Sequence, residues 1–195
     1  MLLKDVLRNK ALLLQESMQK VLREFGFDKN QTENCECPTP ECPTPECPTP
    51  APLQDCPLGW FRIRNSCIWV SPSDMRLNVE NAKLHCITKL SNARLFEPRT
   101  QMLNYLVPEF ITILDGSHLN YYLWLGMNDK GRETQYVYNS SEEPIGFTNW
   151  VDGQPDGHTG QNCVVFDYRN KESKAKWRDV ECRMAYRFIC EKILN

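Results

Sequence analysis

Two neighbouring stretches decide the fold: GQNCVVF at residues 160–166 and KWRDVECRMAYRFICEK at residues 176–192. Both carry short runs of β-branched and aromatic residues, and CVVFDY and RFICEKI read as strands bounded by turns. Three cysteines, Cys163, Cys182 and Cys190, sit within them. Upstream, YYLWLGM and TQYVY continue the strand-like pattern from Tyr121 onward. Before that the period lengthens. A helix is expected after Asn78 as cap, with Val79, Ala82, Cys86 and Leu90 on one face. A second is expected from Thr100 through Leu103, Leu106 and Phe110. Two helices followed by strands make an α+β domain over residues 56–195.

The chain has 195 residues, 41% of them hydrophobic, and a net charge of -2. That balance excludes a nucleic-acid surface, which needs a basic excess. No run of 18 apolar residues is present to insert in a membrane. The leucines near the N-terminus are interrupted by Lys4, Asp5, Arg8, Asn9 and Lys10, so they form no signal-peptide core. Ten cysteines without zinc spacing read as disulfides in an oxidising, extracellular compartment. Glycosylation acceptors of the N-x-S/T type at Asn30 and Asn139 agree with secretion.

Two further segments precede the domain. Over residues 1–27, Leu7, Ala11, Leu14, Met18, Val21 and Phe25 recur four and three apart. This seam fits a short coiled coil; the alternative is a helix packed on its own domain. Residues 28–55 contain three copies of Glu-Cys-Pro-Thr-Pro, whose prolines enforce an extended polyproline-type stalk. Along such a rod Cys37, Cys42 and Cys47 stand roughly 15 Å apart. A disulfide spans at most about 7 Å between Cα atoms. Cys35, Cys37, Cys42 and Cys47 are therefore expected to link separate chains, and a stiff rod cannot curl them around one metal ion.

Residues 56–195 resemble a long-form C-type lectin-like domain, through CPLGWFRIRNSCIWV, NVENAKLHC, LWLGMND, GQNCVVF and KWRDVECRMAYRFICEK. The resemblance implies a fold of two helices, small antiparallel sheets and a long irregular binding loop before Cys163. It also implies three disulfides: Cys56 with Cys67, Cys86 with Cys190, and Cys163 with Cys182. A helix and neck ahead of the domain resemble the oligomeric soluble members, with a disulfide-linked homo-trimer favoured.

The resemblance also implies a sugar site. In the family, a Gln-Pro-Asp tripeptide binds galactose-type sugars through calcium, helped by a Glu before the third cysteine pair and by an Asn-Asp on the next strand. Calcium takes six to eight hard oxygens, and sugar hydroxyls complete its shell. Here Gln154, Asp156 and Asp179 match, with Pro155 expected cis, while Gln161 replaces the Glu and Arg178 replaces the Asn. A guanidinium cannot ligate calcium, so Arg178 is expected to displace the ion by bonding Asp156 or Asp179, or else to turn outward. Asp129 and Glu133 match the acids of a second calcium site, but Gly157 and Asn162 stand where further acids belong, and the alternative is that the two acids are solvated loop charges. His158, beside the tripeptide, offers a small stacking surface or a donor, or is simply an exposed loop residue. Trp124, Trp150 and Trp177 fall at core or floor positions. No histidine among His85, His118 and His158 has a nucleophile or ligand partner at a recognisable spacing, so no enzyme is expected.

The expectation is a secreted, multivalent lectin for galactose or N-acetylgalactosamine glycans and glycoproteins, with calcium weakly held or dispensable. The alternative is an interaction module for a protein, mineral or ice surface on the same scaffold.

Overall fold

A computed structural model of the chain describes residues 56–115, 121–156, 160–169 and 176–194. The expected coiled coil over 1–27 and stalk over 28–55, with Asn30, Cys35, Cys37, Cys42 and Cys47, lie outside these residues, as do Gly157 and His158.

Among the described residues, eight strands and two helices follow in the order β1 (Phe61–Ile63), β2 (Ser66–Val70), α1 (Val79–Lys89), β3 (Arg94–Leu95), α2 (Gln101–Asp115), β4 (Tyr122–Asn128), β5 (Val137–Tyr138), β6 (Cys163–Asp167), β7 (Lys176–Val180) and β8 (Arg187–Ile193). Asn78 caps α1: its side chain accepts the Asn81 N–H at 2.9 Å, satisfying a donor the first turn leaves open. Val79, Ala82 and Cys86 form the buried stripe. Thr100 caps α2 in the same way, accepting the Leu103 N–H on Oγ1 at 3.2 Å.

The strands form one connected path, β1-β2-β8-β4-β6-β7, with β3 added to β8 and β5 to β4. This corrects the expectation of small antiparallel sheets in one respect. β4 and β8 run parallel, pairing Leu123 with Arg187 and Trp124 with Phe188. A parallel pair needs a long crossover between its strands, so local sequence cannot show it. The expected strand at TQYVY shrinks to Val137 and Tyr138.

The core gathers Trp60, Trp69, Ala82, Leu95, Trp124 and Phe188 around the disulfide Cys86–Cys190. That bond ties α1 to β8 across 104 residues; Cys56–Cys67 closes the first hairpin, and Cys163–Cys182 joins the start of β6 to the turn after β7. Trp124 and Trp177 are wholly buried, and each spends its indole N–H inside: Trp124 on the Leu77 carbonyl at 2.8 Å, Trp177 on Asn104 Oδ1 at 2.6 Å. His85 stacks on Trp69 and meets Phe188 edge-on, a packing role. Gly126 marks a close approach: a Cβ there would lie 2.8 Å from both Glu97 Cγ and the Leu95 carbonyl.

Candidate functional site

The long segment between β5 and β6 is pinned to β7. Trp177 donates its backbone N–H to Asn149 O at 2.7 Å, and Val151 donates to Trp177 O at 2.9 Å. Trp150 stands edge-on to Trp177 and against Tyr136, whose ring centre is 4.7 Å away. Gly153 then turns the chain with φ +80°, a conformation open to glycine, and the Gln154 N–H returns to Val151 O at 2.8 Å. The Gln154-Pro155 peptide is cis. Gln154 Nε2 donates to Asp156 Oδ2 at 3.0 Å, so the amide and the acid of the tripeptide meet.

β7 supplies the floor. Its burial alternates, with Lys176 and Arg178 partly exposed and Trp177 and Asp179 buried. Asp179 is 1% exposed, and neither carboxylate oxygen has a hydrogen-bond partner of normal geometry. Burial pushes its pKa up, and the nearby Asp156 charge pushes it further; the Tyr136 hydroxyl and Asp156 N–H oppose the rise. Cys163 pairs with Val180, so Gln161 and Asn162 leave β6 beside the end of β7 that carries Asp179.

Of the two positions expected for Arg178, the structure shows the one turned away from the loop. Its Nε donates to Asp167 Oδ2 at 3.1 Å, not to Asp156 or Asp179. Successive strand residues point to opposite faces, so with Asp179 inward Arg178 is carried to the far side of the sheet. There Asp167, 1% exposed and also gripped by Arg169, receives it, and the hydrogen bonds of Arg169 and then Arg178 hold its pKa down against burial. The cation leaves the loop's oxygens alone.

A second group lies next to the first. Asp129 is buried; Oδ2 accepts the Thr134 N–H at 2.8 Å, while Oδ1 has no partner. Its N–H donates to Asn162 O at 3.3 Å, and Asn162 Oδ1 is likewise buried without a partner. Glu133 is exposed. Tyr136 stands between the two groups: burial raises its pKa, and Asp179, Asp129 and Glu133 raise it further. Sequence reading missed Tyr136 as a site residue, because a tyrosine in TQYVY reads as an ordinary strand aromatic.

Gln154 Oε1, Asn162 Oδ1, Asp129 Oδ1 and both Asp179 oxygens are thus buried acceptors without a hydrogen-bond partner of normal geometry. Such groups are costly unless something positive meets them. No group of three or more His, Cys, Asp or Glu side chains that could hold a metal occurs among the described residues. The difference is one of chemistry, since much of this donor set is amide oxygen. Asn139 is turned inward: Oδ1 accepts from Asn128 at 2.5 Å, and Nδ2, the atom a glycan would occupy, is buried.

Residues 75–192 match the family described as Lectin C-type domain. The chain belongs to that family. It is 30% identical to Lectin BRA-3 of Megabalanus rosa over 138 residues, covering 70% of this chain and 78% of that one. It is 29% identical to asialoglycoprotein receptor 1 of Rattus norvegicus over 153 residues, covering 72% of this chain but 45% of the receptor. Among solved structures, the mouse scavenger receptor C-type lectin carbohydrate-recognition domain superposes with a TM-score of 0.60 at 26% identity, over 72% of this chain and 98% of that one. A calcium-independent type II antifreeze protein superposes at 0.58 with 15% identity, over 71% and 95%, a likeness of fold alone.

Proposed function

We propose that the domain binds glycans ending in galactose or N-acetylgalactosamine at the loop of residues 154–156, and that residues 1–55 gather several copies outside the cell. The observation that carries this reading is the set of buried acceptor oxygens around Gln154 and Asp179 that lack a hydrogen-bond partner of normal geometry. They suit a hard cation better than they suit one another. Calcium would be held by Gln154, Asp156, Gln161 and Asp179, and bound there it would supply the positive centre that orients a sugar's neighbouring hydroxyls. Asp129, Glu133 and Asn162 would serve a second ion. Only Asp156 and Asp179 bring charge to the first site, which fits a weak affinity of about 10⁻⁴–10⁻³ M. The Gln-then-Asp order accompanies galactose-type sugars in the family, and Gln154 Nε2 is the donor that this order requires.

The likeness in fold to a calcium-independent antifreeze protein supports the second reading, a surface that recognises something other than sugar. A glycan array probed with calcium and with chelator separates the two. Binding to terminal galactose or N-acetylgalactosamine, stronger with calcium, is the expected outcome. A blank array from folded protein in both buffers sinks the lectin reading.

A further inference from the structure

Arg178 has left the sugar loop, and the face it joins is unusual for an acidic protein. Arg76, Tyr121, Tyr122, Arg169, Tyr186 and Arg187 line a pocket of about 150 Å³ there. Five stretches of chain converge on it: the turn before α1, the start of β4, the end of β6, the turn after β7 and the start of β8. Arg187 is a fixed wall. It is 4% exposed, donates to Ser71 O from Nε and Nη2, and is paired with Asp115. Its guanidinium also lies 4.6 Å from the centre of the Tyr121 ring. Arg169 packs at 5.0 Å over Tyr122 while Nε and Nη2 hold Asp167, which leaves Nη1 without a partner among the described residues. Tyr122 and Tyr186 meet edge-on at 4.9 Å. Arg76 is exposed and has no ion-pair or hydrogen-bond partner among the described residues.

Charge decides what this pocket prefers. Arg76, Arg169 and Arg187 line the pocket and Arg178 joins Arg169 on Asp167 beside it, and the carboxylates that pair with them among the described residues are Asp115 and Asp167. Glu181, whose charge also reaches Tyr186, is engaged by Arg183. Among the described residues two positive charges remain in excess there, on a chain whose net charge is -2. Guanidinium groups match the planar or tetrahedral oxygens of carboxylates and sulfates. Burial raises the pKa of Tyr122 and Tyr186, so both hydroxyls stay protonated donors at neutral pH. A small pocket suits one anionic group, whereas a nucleic acid needs a cationic stripe.

The geometry points to a second ligand site, separate from the loop of residues 154–156, that takes the sulfate or carboxylate group of an acidic sugar between Arg76 and Arg169. The pocket has room for one charged group and part of its ring rather than for a chain. It owes nothing to calcium, because no member of the orphaned oxygen set lines it.

The test uses the full chain in chelator at low salt, titrated by NMR with galactose 6-sulfate, galacturonic acid and galactose. At least one acidic sugar is expected to bind, galactose is not, and raising salt should weaken binding about tenfold because the site is partly open to solvent. Shifts with the sulfated sugar alone would assign a sulfate site; shifts with both would assign a general oxyanion site; either supports the inference. Arg76→Glu, at an exposed and unpaired position, should keep the native spectrum and abolish binding. Tyr186→Phe should weaken binding several-fold by removing one donor. Equal binding of galactose in chelator, no response to either acid, or full binding by a folded Arg76→Glu protein would overturn it. Calcium-dependent galactose binding, read separately, is untouched by all these outcomes.

Discussion

Asp179 and Arg178 are neighbours in sequence and opposites in chemistry. Asp179 is a buried acid whose pKa burial raises and whose oxygens lack a well-formed hydrogen bond, so Asp179→Asn should be neutral or slightly stabilising in chelator, within about 1 kcal/mol, because it removes a poorly compensated charge. The same variant should lose any rise in melting temperature on adding calcium. Arg178→Asn should leave that calcium response unchanged, since the arginine serves Asp167 on the other face. Gln161→Glu, which adds a third carboxylate beside the loop, should strengthen the response instead. At ten times its Kd, calcium adds roughly 1.4 kcal/mol, a shift of a few degrees in a domain this size. Differential scanning fluorimetry of the three variants with calcium and with chelator reads all of this. A calcium response gained by Arg178→Asn alone would show that the arginine does oppose the ion.

Between β3, β8 and the loop after β5 lies a buried ionic network. Glu191 Oε1 accepts from Arg94 Nε at 2.9 Å and from the Glu97 N–H at 3.1 Å. Glu97 is held by Arg99 and by the Ser140 N–H and hydroxyl. Burial pushes the Glu191 pKa up to about 7, against the pull of Arg94. A carboxyl with a raised pKa binds more protons folded than unfolded. Its stabilising contribution is therefore complete below about pH 4.5 and is lost as the pH rises through about 7. His85 works the other way over part of this range, because burial and then Lys89 lower its pKa. Subtracting the melting curve of Glu191→Gln from that of the parent cancels His85. The difference should favour the parent at pH 5 over pH 8 by about 1–2 kcal/mol, a few degrees. A flat difference would mean that Arg94 keeps Glu191 ionised throughout.

Over the whole molecule, the proposed reading gives valency and folding to separate segments. The disulfides Cys56–Cys67, Cys86–Cys190 and Cys163–Cys182 all lie within the described domain. The proposed function places self-association in residues 1–55, with Cys35, Cys37, Cys42 and Cys47 as the links between chains that the sequence leads one to expect. Cutting after Pro52 should give a monomer that keeps single-site sugar affinity and loses agglutination, because avidity comes from tethering. Sedimentation of the cut domain at the size of the full-length assembly would place the interface in the lectin domain instead.

What sequence alone determined is the part written in local spacing. Asn78 and Thr100 announce helix starts because a capping side chain acts within three residues, and RFICEKI shows as a strand because its residues are β-formers between turns. The six domain cysteines and the motifs around them were enough to identify the family. The tertiary structure decided whatever depends on direction or on distant partners. Leu123 and Trp124 pair in parallel with Arg187 and Phe188 across more than sixty residues, beyond the reach of any window. Sequence left Arg178 either inside the metal site or turned outward, and strand alternation decides for Asp167 on the other face. Tyr136 joins the site, and Arg76 meets Arg169 and Arg187, only because the folded sheet brings separated segments onto one face. A side chain's identity is local, but the charge it faces is set by the sheet around it.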